Sequence, residues 1–154
     1  MRVAHEPKQR TWSRELYDRA VEFHGHGGPF MAIGLRMGLH ALERLDSGGW
    51  FGISCRAMLR WGPPDSCVID GIQSSTGCTA GKRNLAVEEC EGIAAEFRSG
   101  AKTVLLKLRE PVLSTVREAL SEDRSIETDG GEVEDLMKWL RDAPAAQLFE
   151  VTEK

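Results

Sequence analysis

Pro29-Phe30-Met31-Ala32-Ile33-Gly34-Leu35-Arg36-Met37-Gly38-Leu39-His40-Ala41-Leu42-Glu43-Arg44-Leu45 is the stretch whose reading decides the fold. Proline suits the first position of a helix, where its missing N–H would have no partner. From there apolar residues fall on almost every side of the helix, and Arg36, His40 and Glu43 leave only a narrow polar stripe. A helix that is apolar nearly all round is buried on several sides, so this one is expected at the centre of the molecule. Gly34 and Gly38 lie one turn apart and form a small-residue patch that admits close approach of another element. That element is either another segment of the chain or a second copy of it, because homodimers are common. His40 lies on the stripe and is expected to be a solvated or hydrogen-bonded surface residue.

Upstream, Trp12, Leu16, Ala20 and Phe23 recur at helical spacing and predict an amphipathic helix over 12–24, ended by Gly25. Downstream, Asp46-Ser47-Gly48-Gly49 is a loop. Residues 51–61 alternate as a strand, and Gly62-Pro63-Pro64-Asp65 is a break followed by a helix start. The short helix expected over 66–75 puts Cys67, Asp70 and Ser74 on one face with Gln73 beside them, and Val68 and Ile72 on the apolar face. Residues 84–89, 92–98 and 102–109 read as strands, with Ser99-Gly100 as the turn between the last two. Pro111 opens a helix to about Leu120. Asp129 and Glu132 form a capping box for a last helix carrying Val133, Leu136, Met137 and Leu140, and the acidic stretch 122–131 reads as a solvated connection. About four strands with short connections imply an antiparallel sheet. Helices precede and follow it, so the expected class is α+β with flanking helices and no βαβ alternation.

A chain of 154 residues makes one domain, here 1–154, with 1–10 as a mobile terminus that carries His5. A formal net charge of −4 leaves no basic excess to neutralise phosphates, which argues against nucleic acid and anionic membrane surfaces. No segment approaches the roughly 20 apolar residues of a membrane span. The polar N-terminus has no signal-peptide core, so the expected location is the cytoplasm. Cys55, Cys67, Cys78 and Cys90 are spaced 11 or 12 residues apart with no CxxC pair, which excludes a zinc ribbon or a thioredoxin-type motif. A disulfide scaffold is not expected in a cytosolic chain of this length. The default for each cysteine, above all for Cys55 and Cys90, is a buried apolar thiol.

His24-Gly25-His26-Gly27-Gly28 places two imidazoles one residue apart at a helix start. Imidazole is the commonest metal ligand and the usual proton carrier near neutral pH. The positive end of the following helix disfavours imidazolium and keeps both histidines in the neutral, metal-binding form. Thr76-Gly77-Cys78-Thr79-Ala80-Gly81-Lys82 is the second glycine-flanked loop. It is one residue short of GxxxxGK, and Arg83 stands where a Ser or Thr would bind magnesium, so a nucleotide hydrolase is rejected. Its backbone N–H groups can still hold an anion, and Lys82 can stabilise a thiolate at Cys78. Two histidines with one or two thiolates make a tetrahedral site, most readily for zinc and otherwise for another divalent transition metal. The expected ligands are His24, His26 and Cys78, then Cys67, with Asp70 and Gln73 orienting them. Thr79 and Lys82 would position an anionic or carbonyl-bearing ligand. If the protein is an enzyme, Cys78 is the nucleophile or redox thiol and His26 the proton carrier. The alternatives are a non-catalytic accessory or assembly protein acting through the 29–45 helix, and histidines and cysteines that merely pack.

Phe23-His24-Gly25-His26-Gly27-Gly28-Pro29, followed by Ala32-Ile33-Gly34-Leu35-Arg36-Met37-Gly38, resembles the opening motif of the FmdE family, named for a component of formylmethanofuran dehydrogenase. Cys67-Val68-Ile69-Asp70-Gly71-Ile72-Gln73 and Thr76-Gly77-Cys78-Thr79-Ala80-Gly81-Lys82-Arg83-Asn84-Leu85 are similar to the second motif of that family. Ala143-Pro144 with Leu148-Phe149-Glu150-Val151 is similar to its close. The resemblance covers nearly the whole chain. It implies an α+β domain that commonly forms a homodimer, with histidines and cysteines meeting in a cleft that can bind metal. It also implies a link to the enzyme that fixes CO2 onto methanofuran in methanogenic and related archaea, whose molybdenum or tungsten pterin belongs to other subunits; those formylmethanofuran dehydrogenase subunits are the implied partners. Two departures from the pattern matter. Gly28 stands where many members carry a cysteine before the proline, so a three-cysteine site is not expected. Many members also carry a C-terminal zinc ribbon that this sequence lacks, so the metal is expected in the core domain.

Overall fold

Ser13 starts the first helix, α1 (Arg14–His24): its hydroxyl accepts from the Leu16 amide at 3.1 Å, which satisfies one of the N–H groups a helix start leaves open. Gly25, at φ 106°, ends α1 in the left-handed conformation that glycine adopts without strain. The structure, a computed structural model, describes residues 11–123 and 131–154. Helix α2 (Pro29–Leu45) follows α1 and is covered on three sides. Met31, Leu35 and Leu39 meet Leu16 and Ala20 of α1. Ile33, Met37 and Ala41 belong to the main core, together with the inward residues of the sheet. The third side carries Gly34 and Gly38 and faces α3 (Cys67–Thr76).

The contact between α2 and α3 is made by backbone. A methyl group on Gly34 would fall on the Val68 carbonyl oxygen, and one on Gly71 would fall on the Met31 carbonyl oxygen. A methyl group on Gly38 would strike the Ser75 hydroxyl. The small-residue patch is therefore filled by a helix of the same chain.

The sheet has five strands: β1 (Ser54–Leu59), β2 (Leu85–Glu89), β3 (Ala94–Ser99), β4 (Lys102–Leu108) and β5 (Phe149–Glu153). Their order is β2-β1-β3-β4-β5. The α+β class and a mostly antiparallel sheet stand as expected, and two features refine the sheet of about four strands. First, β1 and β2 run parallel, with Cys55 opposite Leu85 and Leu59 opposite Glu89. Parallel neighbours need a long crossover, and α3 lies in it. Second, Phe149–Glu153 adds an antiparallel strand to β4, with Phe149 opposite Leu108. Despite their short link, β2 and β3 are not neighbours: β3 pairs with β1, Ala57 facing Ala95. Along β1, Cys55, Ala57 and Leu59 enter the core, whereas Arg56 stays on the outer face between Glu88 at 3.3 Å and Glu96 at 3.7 Å.

Three further helices complete the chain: α4 (Glu110–Asp123), α5 (Gly131–Asp142) and α6 (Ala145–Leu148). Arg36, on the polar stripe of α2, reaches to the end of α5. Its guanidinium donates to the carbonyls of Leu140 at 2.6 Å, Arg141 at 3.0 Å and Ala143 at 2.6 Å. These are carbonyls that a helix end leaves without an intrahelical partner. The Asp129–Glu132 capping box, the 1–10 terminus with His5, and the 124–130 part of the acidic connection lie outside the described residues. No helix among the described residues is long and apolar enough to cross a membrane.

Candidate metal centre

The left-handed turn at Gly25 brings the last residue of α1 and the first turn of α2 together. His24 and His26 lie side by side there, with ring centroids 4.6 Å apart and planes tilted by 45°. The start of α3 brings Cys67 to the same place. One ligand atom from each of His24, His26 and Cys67 lies within 4.8 Å of the others. Bonds of about 2.0–2.3 Å to a tetrahedral ion set donor atoms about 3.5 Å apart, so these three need to draw in by little more than an ångström.

Asp70 lies one turn beyond Cys67 on α3. Its carboxylate accepts from His24 Nδ1 at 2.6 Å. The His24 side chain is 9% exposed, and its other nitrogen, Nε2, is buried with no hydrogen-bond partner among the described residues. The carboxylate holds the proton on Nδ1 and leaves a lone pair on Nε2. A buried polar atom without a partner is costly, and a histidine held by a carboxylate on one nitrogen with the other open is the usual posture of a metal ligand. The donor set thus fits a transition-metal ion. His26 is exposed, and its Nδ1 donates to the Gly27 carbonyl at 3.2 Å, which likewise leaves Nε2 open. Cys67 is half-buried, and burial pushes its thiol above the usual range, with Asp70 and Asp65 adding to the effect. Metal binding there displaces a proton.

Two cavities meet at this centre. One, of about 350 Å³, is bounded by His24, His26, Cys67 and the first turn of α2. The other, of about 460 Å³, is bounded by His24, Cys67, Asp70, Gln73 and Trp61. Asp70 thus touches His24 and borders the second cavity, and Gln73 borders that cavity as well.

Cys78 borders neither cavity. Gly77, at φ 78°, ends α3, and the Cys78 amide then donates to the Thr76 hydroxyl at 3.1 Å. Its side chain is fully buried in the main core, with the sulfur 3.9 Å from the Ile53 carbonyl. Burial raises the thiol pKa against the opposing effects of Thr76 and Lys82. The thiol that joins the two histidines is Cys67, and the roles assigned to Cys78 as ligand and nucleophile are corrected accordingly. Thr79 and Lys82 border neither cavity at the centre. Lys82 Nζ donates to the Thr79 hydroxyl at 2.9 Å and borders a separate shallow groove beside Phe51 and Arg98. Their loop is held by Asn84, whose Oδ1 accepts from the Thr79 amide at 2.8 Å and whose Nδ2 donates to the Trp50 carbonyl at 2.9 Å. The second motif therefore carries one site region, around Cys67 and Asp70, and one structural clasp.

Of the other thiols, Cys55 is buried as expected, and burial beside Cys78 and Glu96 raises its pKa well above the usual value. Cys90 is exposed, contrary to expectation. It follows two glutamates at the end of edge strand β2, a polar setting visible in the sequence. His40 is half-buried, and burial lowers its pKa. Nothing local in the sequence marks Arg117. It pairs with the buried carboxylate of Asp65 through two bonds of 3.0 and 2.9 Å and lies 5.7 Å over the Phe30 ring. This pair ties α4 to the start of α3, which carries Cys67, and to the first turn of α2, which borders the centre.

The profile of the family described as "FmdE, Molybdenum formylmethanofuran dehydrogenase operon" matches residues 23–150. A curated "Probable S-adenosyl-L-methionine-binding protein" of Archaeoglobus fulgidus is 40% identical over 74 residues, which cover 44% of this chain and 19% of that protein. The chain thus spans about a fifth of the length of this relative. Among solved structures, a tungsten formylmethanofuran dehydrogenase FmdE-like protein from Syntrophus aciditrophicus matches with a TM-score of 0.61 at 23% identity, over 93% of this chain and 72% of that one. That likeness shows the same fold.

Proposed function

The chain belongs to the FmdE family, and from that premise we propose that it is a metal-binding domain whose ion is held by His24, His26 and Cys67, with a fourth position open to a ligand from the adjoining cavities. The observation that carries this reading is the buried, unpartnered Nε2 of His24 on a ring whose Nδ1 is held by Asp70. Two imidazoles and one thiolate suit zinc best among the common divalent ions. Three protein ligands and an open position are the pattern of reactive rather than purely structural sites. When bound, the ion would supply a Lewis acid. Asp70 fixes the tautomer and orientation of His24, Cys67 adds the negative charge, and Gln73 offers an amide to a ligand in the second cavity. The operon that gives the family its name supports a link to formylmethanofuran metabolism.

Metal content measured by mass spectrometry, on protein purified without an affinity tag or chelator, tests the reading. Near-stoichiometric metal is expected in the parent and in Cys78→Ala, and loss of it in His24→Ala and Cys67→Ser. Asp70→Ala is expected to weaken metal binding about 10- to 100-fold, read by competition with a chromophoric chelator. Metal that survives in Cys67→Ser but disappears in folded Cys78→Ala would overturn the assignment. A second reading is favoured by the exposure of Phe23 and Trp61, 59% and 64%, beside the centre. In it, the protein is an accessory factor that uses these aromatics against a second copy or against formylmethanofuran dehydrogenase subunits. Absence of metal from every protein in the series would leave that reading standing.

A further inference from the structure

The loop that carries Thr79 and Lys82 borders a groove that shares no lining residue with the two cavities at the metal centre. The groove measures about 510 Å³, within the range of small-molecule sites, about 300–1,000 Å³. Ser54 of β1 and Arg98 of β3 pair there, and both are exposed. Lys82 comes to it from the loop, and Phe51 from the segment before β1.

Its charges are unbalanced. Arg44, Arg56, Arg109, Arg117 and Arg141 each pair with a carboxylate. The two cations of the groove do not. Arg98 has no ion pair or hydrogen bond among the described residues. Lys82 Nζ donates to a neutral group, the Thr79 hydroxyl, at 2.9 Å. No aspartate or glutamate borders the groove. A chain of net charge −4 thus keeps two positive charges on one concave surface without counter-charges. Such a surface concentrates anions.

A ring stands beside these charges. Phe51 is 69% exposed. Lys82 Nζ lies 5.8 Å from its centroid, a cation–π contact on one face, and the other face is open to solvent. The backbone on both sides of the groove is unusual. Trp50, just before Phe51, has φ 64°, and Arg83, just after Lys82, has φ 60°, a region that residues with a Cβ seldom enter. Asn84 ties these two segments together through the Thr79 amide and the Trp50 carbonyl. Such conformations persist where the surroundings enforce them, and they gather at ligand sites. The clasp sets Phe51 and Lys82 against each other before a ligand arrives, which lowers the cost of binding.

We propose that this groove binds a phosphate monoester that carries an aromatic ring. Arg98 presents a fork of N–H donors that matches phosphate oxygens, Lys82 adds a point charge, and the Ser54 hydroxyl is a further donor. The ring of the ligand stacks on the open face of Phe51. Two cations match the double charge of a monoester near neutral pH. A nucleic acid does not fit, because the chain has no basic excess to follow successive phosphates. A mononucleotide and a phosphorylated tyrosine share the required chemistry. The site stands independently of the metal reading.

The experiment is calorimetric titration in phosphate-free buffer at about pH 8, where the monoester is a dianion. The probes are AMP, O-phosphotyrosine, inorganic phosphate and adenosine. At least one of the two esters is expected to bind at least about tenfold more tightly than inorganic phosphate and than adenosine. The tighter ester identifies the source. Arg98→Gln and Lys82→Gln are each expected to weaken it about tenfold, and Phe51→Leu to bring it to about the level of inorganic phosphate. None of these three side chains is buried, and thermal melts confirm that the variants fold. Lys107→Gln removes the same charge at the far end of β4, opposite Ala94, and should stay within about twofold of the parent. Esters that bind no better than inorganic phosphate overturn the proposal. So does a Lys107→Gln protein as weak as Arg98→Gln, which would reduce the effect to overall charge.

Discussion

Gly34→Leu is expected to leave the chain unfolded, and Gly34→Ala to lower stability by about 3 kcal/mol, or about 10 °C in Tm. Alanine favours a helix over glycine by about 1 kcal/mol, so propensity alone predicts the opposite sign. Packing decides against it. The new methyl group would fall on the Val68 carbonyl oxygen, with the Gly71 Cα and the Ile72 amide nitrogen each 2.9 Å away. All three are backbone atoms of α3, so no rotamer change relieves the contact and the whole helix must retreat. Overpacking a well-filled interior typically costs about 1–3 kcal/mol, and a rigid neighbour places this substitution at the upper end. Cys67 moves with α3, so Gly34→Ala should weaken metal binding as well as lower the Tm. Gly81→Ala is the control. A Cβ there meets nothing within 4 Å, and its effect should stay within about 0.5 kcal/mol. A Gly34→Ala protein that melts with the parent would show that the two helices do not touch by backbone.

Arg117→Met is the second large effect, expected at about 3 kcal/mol. The Asp65 side chain is 3% exposed and accepts both bonds of the guanidinium fork. Removing the cation leaves a carboxylate buried without its partner. Breaking such a pair typically costs about 3–5 kcal/mol. The Arg117 side chain is itself 47% exposed, so water can enter beside Asp65, and the lower end applies. Arg117→Lys should recover little, because an ammonium cannot make the paired bonds of the fork. Asp65→Asn placed on top of Arg117→Met removes the stranded charge and should restore part of the stability. Thermal melts of the two single variants and the double variant give the coupling. A double variant no better than the sum of its singles would show that the pair contributes nothing beyond packing on Phe30.

The elements that sequence made legible are those set by neighbours along the chain. Gly25 and Pro29 punctuate the end of α1 and the start of α2 by backbone freedom and a missing N–H, and the structure places those boundaries there. The apolar girth of α2 announced a central helix, since no one-sided environment could accommodate it. The positions of β1, β2, β3 and β4 followed from alternation. Their partners did not, because alternation tells which side of a strand is buried and nothing about the direction of the neighbouring strand. Hence the parallel pairing of β1 with β2 escaped. β5 escaped because five residues with two apolar positions are a weak signal beside the proline and short helix that precede them.

The histidine pair shows the same division. By itself the sequence determined that His24 and His26 stand together at the junction of two helices, and that thiols with an adjacent carboxylate occur at α3. It put Cys78 first among the thiols and Cys67 after it, whereas Cys67 is the one beside the histidines. Cys67 opens α3 and Cys78 lies just past its end, so a helix of ten residues separates them by about 15 Å. The glycine-flanked loop favoured Cys78 in the sequence, and only the way α3 crosses α2 puts Cys67 at the histidines instead. That crossing is set by contacts of Gly34 with Gly71 and of Asp65 with Arg117, residues far apart in the chain. It brings the first turn of α3 to the histidines and sends the residue beyond its last turn into the core.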